Sequence, residues 1–210
     1  MKTVLVTGAN GFIGKNLCVA LEQQQGLEVL RYGRANTVEE LNDYILRADF
    51  IFHLAGVNRP VNIKEYDEGN RGLTEQLIQL LEGNMKQVPM VFASSTQATL
   101  DNPYGHSKRA AEELIFAWAD RTKTSVFIYR LPNVFGKWCK PNYNSVVATF
   151  CYNVIHDFPI KIHNPSTELI LTYIDDVVEE FIAAINGKAH IDQNGYAYVP
   201  VSYTIKLQEL

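Results

Sequence analysis

Apolar runs rich in β-branched residues recur along this chain, each followed by a stretch with helical spacing. "KTVLVT" precedes a helix expected from about Phe12 to Gln24, and "LEVLRY" precedes a short helix over "TVEELNDYIL". "DFIFHLAG" leads to a helix over "NRGLTEQLIQLLEG", "VPMVFASS" to a helix beginning near Tyr104, and "SVFIYRLPNVFG" to a loop and the helix "NSVVATFCYNVI". Strands that are apolar on both faces need cover on both faces, and strands alternating with helices are joined by right-handed crossovers. The expected fold class is therefore α/β, a Rossmann-like doubly wound parallel sheet. The last third is less regular, with "PIKIHN", "ELILTYIDDVVEEFIAAING" and "YAYVPVSYT" reading as short strands around one helix and "IKLQEL" as a helix barely begun. We expect a dinucleotide-binding core over 1–158 and a partial, shortened substrate-binding region over 159–210.

The whole chain narrows the function classes. At 210 residues it builds one sizeable core, and a formal charge of −4 gives no broad basic field for nucleic acid or an anionic membrane. No run of 18 apolar residues could cross a bilayer, and the opening "MKTVLVTGANGFIG" lacks the pattern of a signal peptide. Cys18, Cys139 and Cys151 fit no zinc or disulfide spacing, which is the expectation for reduced thiols in a cytoplasmic protein without a metal.

"TGANGFIG" sets Gly8, Gly11 and Gly14 between the first strand and the first helix. There the backbone turns tightly and approaches a pyrophosphate, while the helix N-terminus offers free N–H groups and partial positive charge. At the end of the second strand, "LEVLRYGRANT" has no acid to receive ribose hydroxyls; Arg34, with Arg31 as a second choice, stands there instead. A guanidinium forks onto phosphate, so the preference is for the 2′-phosphate of NADP over plain NAD, unless these are ordinary solvated charges. "YGHSK" holds Tyr104 and Lys108 four residues apart. Eleven tyrosines and eleven lysines in 210 residues form about 0.6 such pairs by chance, so the surroundings must decide its meaning.

Taken together, "TGANGFIG", "HLAG", Asn70, "ASS" and "YGHSK" resemble the extended short-chain dehydrogenase/reductases, the NAD-dependent epimerase/dehydratase family. "FHLAGVNRP", "STQATLDNPYGHSK" and "LPNVFGKWCKPNYNSVVATFCY" look closer still to the N-terminal reductase domain of the CapF/WbjC group of bacterial capsular polysaccharide and O-antigen proteins. That resemblance implies NADPH-dependent reduction of the 4-keto group of a UDP-2-acetamido-2,6-dideoxy-hexulose, toward UDP-N-acetyl-L-fucosamine. In that group a zinc-containing cupin domain follows; nothing here resembles it, so a fragment or shortened relative is expected, with no zinc and no epimerase chemistry.

Residue by residue, the resemblance makes Tyr104 the general acid, Lys108 the partner of the nicotinamide ribose and Ser95 the holder of the substrate oxygen, with Ser94 as fallback. Lys108 is expected to tune Tyr104 toward the phenolate. Gly8, Asn10, Gly11, Phe12, Ile13, Gly14, Arg34, Leu54, Ala55, Gly56, Asn70, Tyr104, Lys108 and Leu131 are implied to line the cofactor. Ser95, Asn133, Lys140, Asn142 and Tyr143, with Asn144, are implied on the substrate side, although "KWCKPNYN" reads equally as a solvated loop. Thr96 and Gln97 stand where family dehydratases carry an Asp-Glu pair, which disfavours dehydration. Leu169 stands where nucleotide-sugar binders often have arginine, so the diphosphate needs another cation such as Lys137 or Lys140. Asp175 and Asp176 are expected to cap a helix, and Cys139 to be a plain loop cysteine. Relatives dimerise, so a homodimer is an expectation, and the alternatives are a non-catalytic NAD(P)-sensing module or a UDP-sugar 4-epimerase.

Overall fold

The computed structural model describes residues 1–143 and 145–210; Asn144 lies outside the described residues. Five parallel strands form the central sheet: β1 (Lys2–Thr7), β2 (Leu27–Tyr32), β3 (Phe50–His53), β4 (Met90–Ser95) and β5 (Val126–Leu131), in the order β2-β1-β3-β4-β5. The helices between them are α1 (Phe12–Glu22), α2 (Val38–Arg47), a single turn α3 (Lys64–Tyr66), then a π-helical stretch Asp67–Gly72 running into α4 (Leu73–Gly83), and α5 (Pro103–Thr122). This is the doubly wound arrangement expected from the apolar runs.

Alternation within each strand explains the two-sided cover, because successive side chains point to opposite faces. Val4 and Val6 pack with Leu17, Leu21 and Phe181 on one face. Leu5 packs with Leu41, Leu77, Ile115 and Trp118 on the other. Local chemistry sets the helix starts. Thr37 accepts a hydrogen bond from Glu40 N while the Glu40 carboxylate receives Thr37 N, a capping box that opens α2. Asn102 accepts from Gly105 N at 2.8 Å and Pro103 occupies the first turn of α5.

A second sheet orders β6 (Asn133–Phe135), β7 (Glu168–Tyr173) and β8 (Tyr203–Lys206), with α6 (Val146–Ile155) and α7 (Ile174–Ile185) beside it in sequence. Because β6 precedes residue 159 and pairs with β7 beyond it, the two regions expected from sequence share a sheet. The last third departs from expectation in three places. Residues 160–164 form no strand and are exposed to solvent. Of "YAYVPVSYT", only Tyr203 and Thr204 join β8, while Ala197 makes an isolated parallel bridge to Tyr129 at the edge of β5. "IKLQEL" contributes to β8 and closes in one 3₁₀ turn, Leu207–Glu209. No described helix is long and apolar enough to cross a membrane.

The β1–α1 turn is built on close approach. Gly8 has φ +69°, and a Cβ there would lie 2.7 Å from Ala55 N on the neighbouring β3 loop. A Cβ on Gly14 would drive into the Gly8 carbonyl, so α1 sits directly on the turn. Gly14→Ala is expected to destabilise the fold by about 1–3 kcal/mol through overpacking against backbone. Urea unfolding measures this, and an unchanged midpoint would mean that the helix is not held this close.

Candidate active site

The carboxyl ends of the five parallel strands share one edge of the sheet, where ligands bind in such folds. Gly8, Asn10, Gly11, Phe12, Ile13 and Gly14 make the turn after β1; Arg34 follows β2; Leu54, Ala55 and Gly56 follow β3. Ser95 ends β4 directly beside Leu131 at the end of β5. From β2 to β4 is three inter-strand steps, about 14 Å across.

Tyr104 and Lys108 lie on the buried side of α5, one turn apart. The Lys108 ammonium is buried, donates to the Ala93 carbonyl at 2.9 Å and stands 4.9 Å over the Phe92 ring. A side chain on Gly56 would meet that nitrogen at 3.2 Å and Asn70 Oδ1 at 2.6 Å, so the β3 loop, Asn70 and Lys108 converge. Burial lowers the Lys108 pKa to about 8, against the opposing field of Glu112. It remains mostly charged at neutral pH.

Burial pushes the Tyr104 phenol up from its usual value, the neighbouring Ser95 hydroxyl pulls it down, and Tyr66 and Tyr143 push it further up. The expectation that Lys108 tunes this phenol toward phenolate is corrected: its ammonium turns to the Ala93 carbonyl and is not among the groups that set the shift. Tyr104 is thus held as a protonated phenol. Ser95 Oγ accepts from Gln97 N at 3.2 Å, which leaves its O–H as a donor. Ser94, the fallback from sequence, faces inward and donates to Glu112.

Asn70 was expected against the cofactor, but both donors of its amide are committed, to Val57 O at 2.9 Å and Ser107 Oγ at 3.0 Å. Its Oδ1 accepts from Val57 N at 3.0 Å, so it holds the loop after β3. Behind it lies a chain that sequence reasoning missed. The Thr74 hydroxyl donates to Asn70 O at 2.8 Å and therefore accepts from His53 Nε2 at 2.9 Å. His53 Nδ1 is left to accept from the Thr7 hydroxyl at 2.8 Å, which fixes the neutral tautomer. Desolvation, with help from the Lys108 charge, lowers the His53 pKa to about 3.

The substrate-side residues divide. Tyr143 acts electrostatically on Tyr104 and lies 6.0 Å from the guanidinium of Arg59, which also donates to Asn142 O at 3.3 Å. Arg59 and Tyr66, whose ring centroid is 5.6 Å from that of Tyr104, were not picked out from sequence. Asn133 and Lys140 are exposed, and no hydrogen bond or ion pair among the described residues engages either side chain. Lys137 is not a free cation, since it pairs with Asp175 at 2.9 Å. Asp175 and Asp176 sit in the first turn of α7 and do not cap it; the position before the helix is Tyr173, without a side-chain cap. Arg31 is spent on Glu22 at 2.6 Å, whereas Arg34 is exposed and has no partner among the described residues. Burial raises the Cys139 thiol, which disfavours its reactive thiolate. Among the described residues no group of three or more His, Cys, Asp or Glu side chains could hold a metal.

The model of the NAD dependent epimerase/dehydratase family matches residues 4–199. The chain is 52% identical over 185 residues to UDP-2-acetamido-2,6-β-L-arabino-hexul-4-ose reductase of Pseudomonas aeruginosa, covering 88% of this chain and 50% of that protein. The capsular polysaccharide assembling protein CapF of Staphylococcus aureus superposes with a TM-score of 0.86 at 41% identity, covering 99% of this chain and 55% of that one. UDP-glucuronic acid 4-epimerase of Bacillus cereus in complex with NAD shares the fold, with a TM-score of 0.85 at 19% identity over 99% of this chain and 81% of that one. The chain spans about half the length of the reductase and CapF relatives.

Acid stability reports on His53. Its folded pKa of about 3 lies below the ordinary 6.5, so between these values the unfolded chain binds the extra proton and stability falls as pH falls. The expected slope from this residue is about 1.4 kcal/mol per pH unit below 6.5. Urea melts from pH 7 to 4.5 check it, and His53→Gln should flatten that limb; an equal slope in both proteins would refute the buried neutral tautomer.

Proposed function

Because this chain belongs to the NAD dependent epimerase/dehydratase family, we propose that it is an NADPH-dependent reductase of the 4-keto group of a UDP-2-acetamido-2,6-dideoxy-hexulose, serving capsule or O-antigen nucleotide-sugar synthesis. The observation that carries the reading is the meeting of a protonated phenol, a buried ammonium and a donor hydroxyl at the ends of β4 and α5. The same edge of the sheet leads, about 14 Å away, to Arg34, which has no partner among the described residues. That span suits an extended dinucleotide, and Arg34 supports the 2′-phosphate of NADPH over NADH. Bound NADPH supplies the hydride.

The chain's own residues do the rest. Gly8, Gly11 and Gly14 bring backbone against the pyrophosphate, and Asn70 keeps Leu54, Ala55 and Gly56 shaped around the cofactor. Lys108 has one N–H on Ala93 O and turns the rest of its ammonium toward Gly56, where the nicotinamide ribose would lie. Ser95 donates to the C4 oxygen of the sugar and orients the carbonyl. As charge grows on that oxygen, Tyr104 gives it the phenolic proton, an acid kept loaded by its own burial. Arg59 meets Asn142 and Tyr143 across the loops after β3 and β6, which supports these three, with Lys140, as the residues for the nucleotide end, Arg59 answering the need for a cation left by Leu169. Thr96 and Gln97 offer no acid-base pair for dehydration.

The test is absorbance at 340 nm with NADPH and the enzymatically generated 4-keto sugar. Tyr104→Phe is expected to lower kcat about 10²–10⁴-fold, and binding of NADPH without turnover by the unaltered chain would favour a sensing module instead. Turnover should fall as pH rises through about 8, where Lys108 loses its proton. Arg34→Ala should raise the KM for NADPH about tenfold or more with little effect on NADH; equal losses would remove the 2′-phosphate assignment.

A further inference from the structure

Glu112 is the most deeply buried carboxylate among the described residues, at 1% exposure, and lies one turn beyond Lys108 on the same face of α5. Such a group is held only by charge and hydrogen bonds. Arg130 of β5 takes it with two prongs, Nε to Oε1 at 3.0 Å and Nη2 to Oε2 at 2.6 Å. The Tyr196 hydroxyl, from the segment after α7, donates to Oε2 at 3.2 Å and accepts from Arg130 at 2.7 Å, and Ser94 donates to Oε1.

The pattern on β4 is the informative part. Three consecutive residues of that strand meet three successive turns of α5: Ser95 lies beside Tyr104, Ala93 O receives Lys108, and Ser94 binds Glu112. The groups facing Lys108 are otherwise neutral or cationic. β3 presents neutral His53, β4 a carbonyl and the Phe92 ring, and the π-helical stretch the Asn70 amide; β5 presents cationic Arg130 through Glu112. Glu112 is the one carboxylate acting on Lys108 among the described residues.

We propose that Glu112 is a positioning residue: its carboxylate, gripped by Arg130, Tyr196 and Ser94, keys α5 onto the tip of β4 and is the anion set one turn from the buried Lys108. This rests on the reading of Lys108 as a working part of the site, and it makes Arg130 and Tyr196 the link between the last third of the chain and the catalytic helix. Removing the carboxylate leaves Lys108 with burial and the uncompensated charge of Arg130, both of which favour loss of its proton.

The experiment titrates lysine side chains by NMR in the resting protein carrying ¹³C at Cε, with the Lys108 signal assigned through Lys108→Arg. Glu112→Gln is expected to move the Lys108 titration down by about one pH unit or more, and to move the alkaline limb of NADPH turnover with it. Arg130→Gln breaks the same clamp but leaves the anion, so Lys108 should titrate at or above its unaltered value. Should Glu112→Gln not fold, Glu112→Asp keeps the charge with a shorter reach. Its Lys108 titration should stay put while kcat falls at every pH. An unmoved Lys108 in folded Glu112→Gln, or a downward shift in both Glu112→Gln and Arg130→Gln, overturns the proposal. Because the titration needs no substrate, absence of turnover by the unaltered chain would count against the reductase reading and leave the Glu112 result standing.

Discussion

Polar atoms withdrawn from water between α5 and β4 must find partners there, and the rest of the site follows from how they do. Lys108 and Ser94 spend themselves on a carbonyl and a carboxylate at consecutive strand positions, which locks the helix at one height along the strand. At that height the phenol of Tyr104 comes to the Ser95 hydroxyl and into the company of Tyr66 and Tyr143. A slip of the helix by one residue would break both bonds.

Burial acts on the three ionisable groups in different directions, and each direction is useful. It keeps the Tyr104 proton on the oxygen, lowers Lys108 without discharging it at neutral pH, and holds His53 neutral. The neutral imidazole then serves as a fixed link, from Thr7 at the end of β1 through Thr74 to Asn70, and from Asn70 to Ser107 on α5. One hydrogen-bonded chain thereby ties the loops after β1 and β3 to the helix that carries Tyr104 and Lys108.

Much of this was legible in the residue order. Apolar runs with alternating faces give the central sheet, the glycine turn marks its first crossover, and Tyr104, Lys108 and Ser95 stand out once read with "HLAG" and Asn70. What escaped were interactions between distant segments. Glu112 looks like an ordinary solvated glutamate in "KRAAEEL", although its place one turn after Lys108 was a usable signal. Its burial depends on Arg130 and Tyr196, which sequence does not bring together. For the same reason His53 was not singled out, and Arg59 was hidden in a loop that meets Asn142 and Tyr143 only in the fold. The last third was the hardest to read because β7 finds a partner, β6, in an earlier part of the chain, while residues 160–164 form no strand at all.

The account is tested most directly by following the hydride. With NADPH carrying deuterium at the transferable C4 position, mass and NMR spectra of the sugar product should show one deuterium, bonded to the sugar C4. Deuterium remaining on the nicotinamide, or recovered at any other sugar carbon, would contradict reduction at this site.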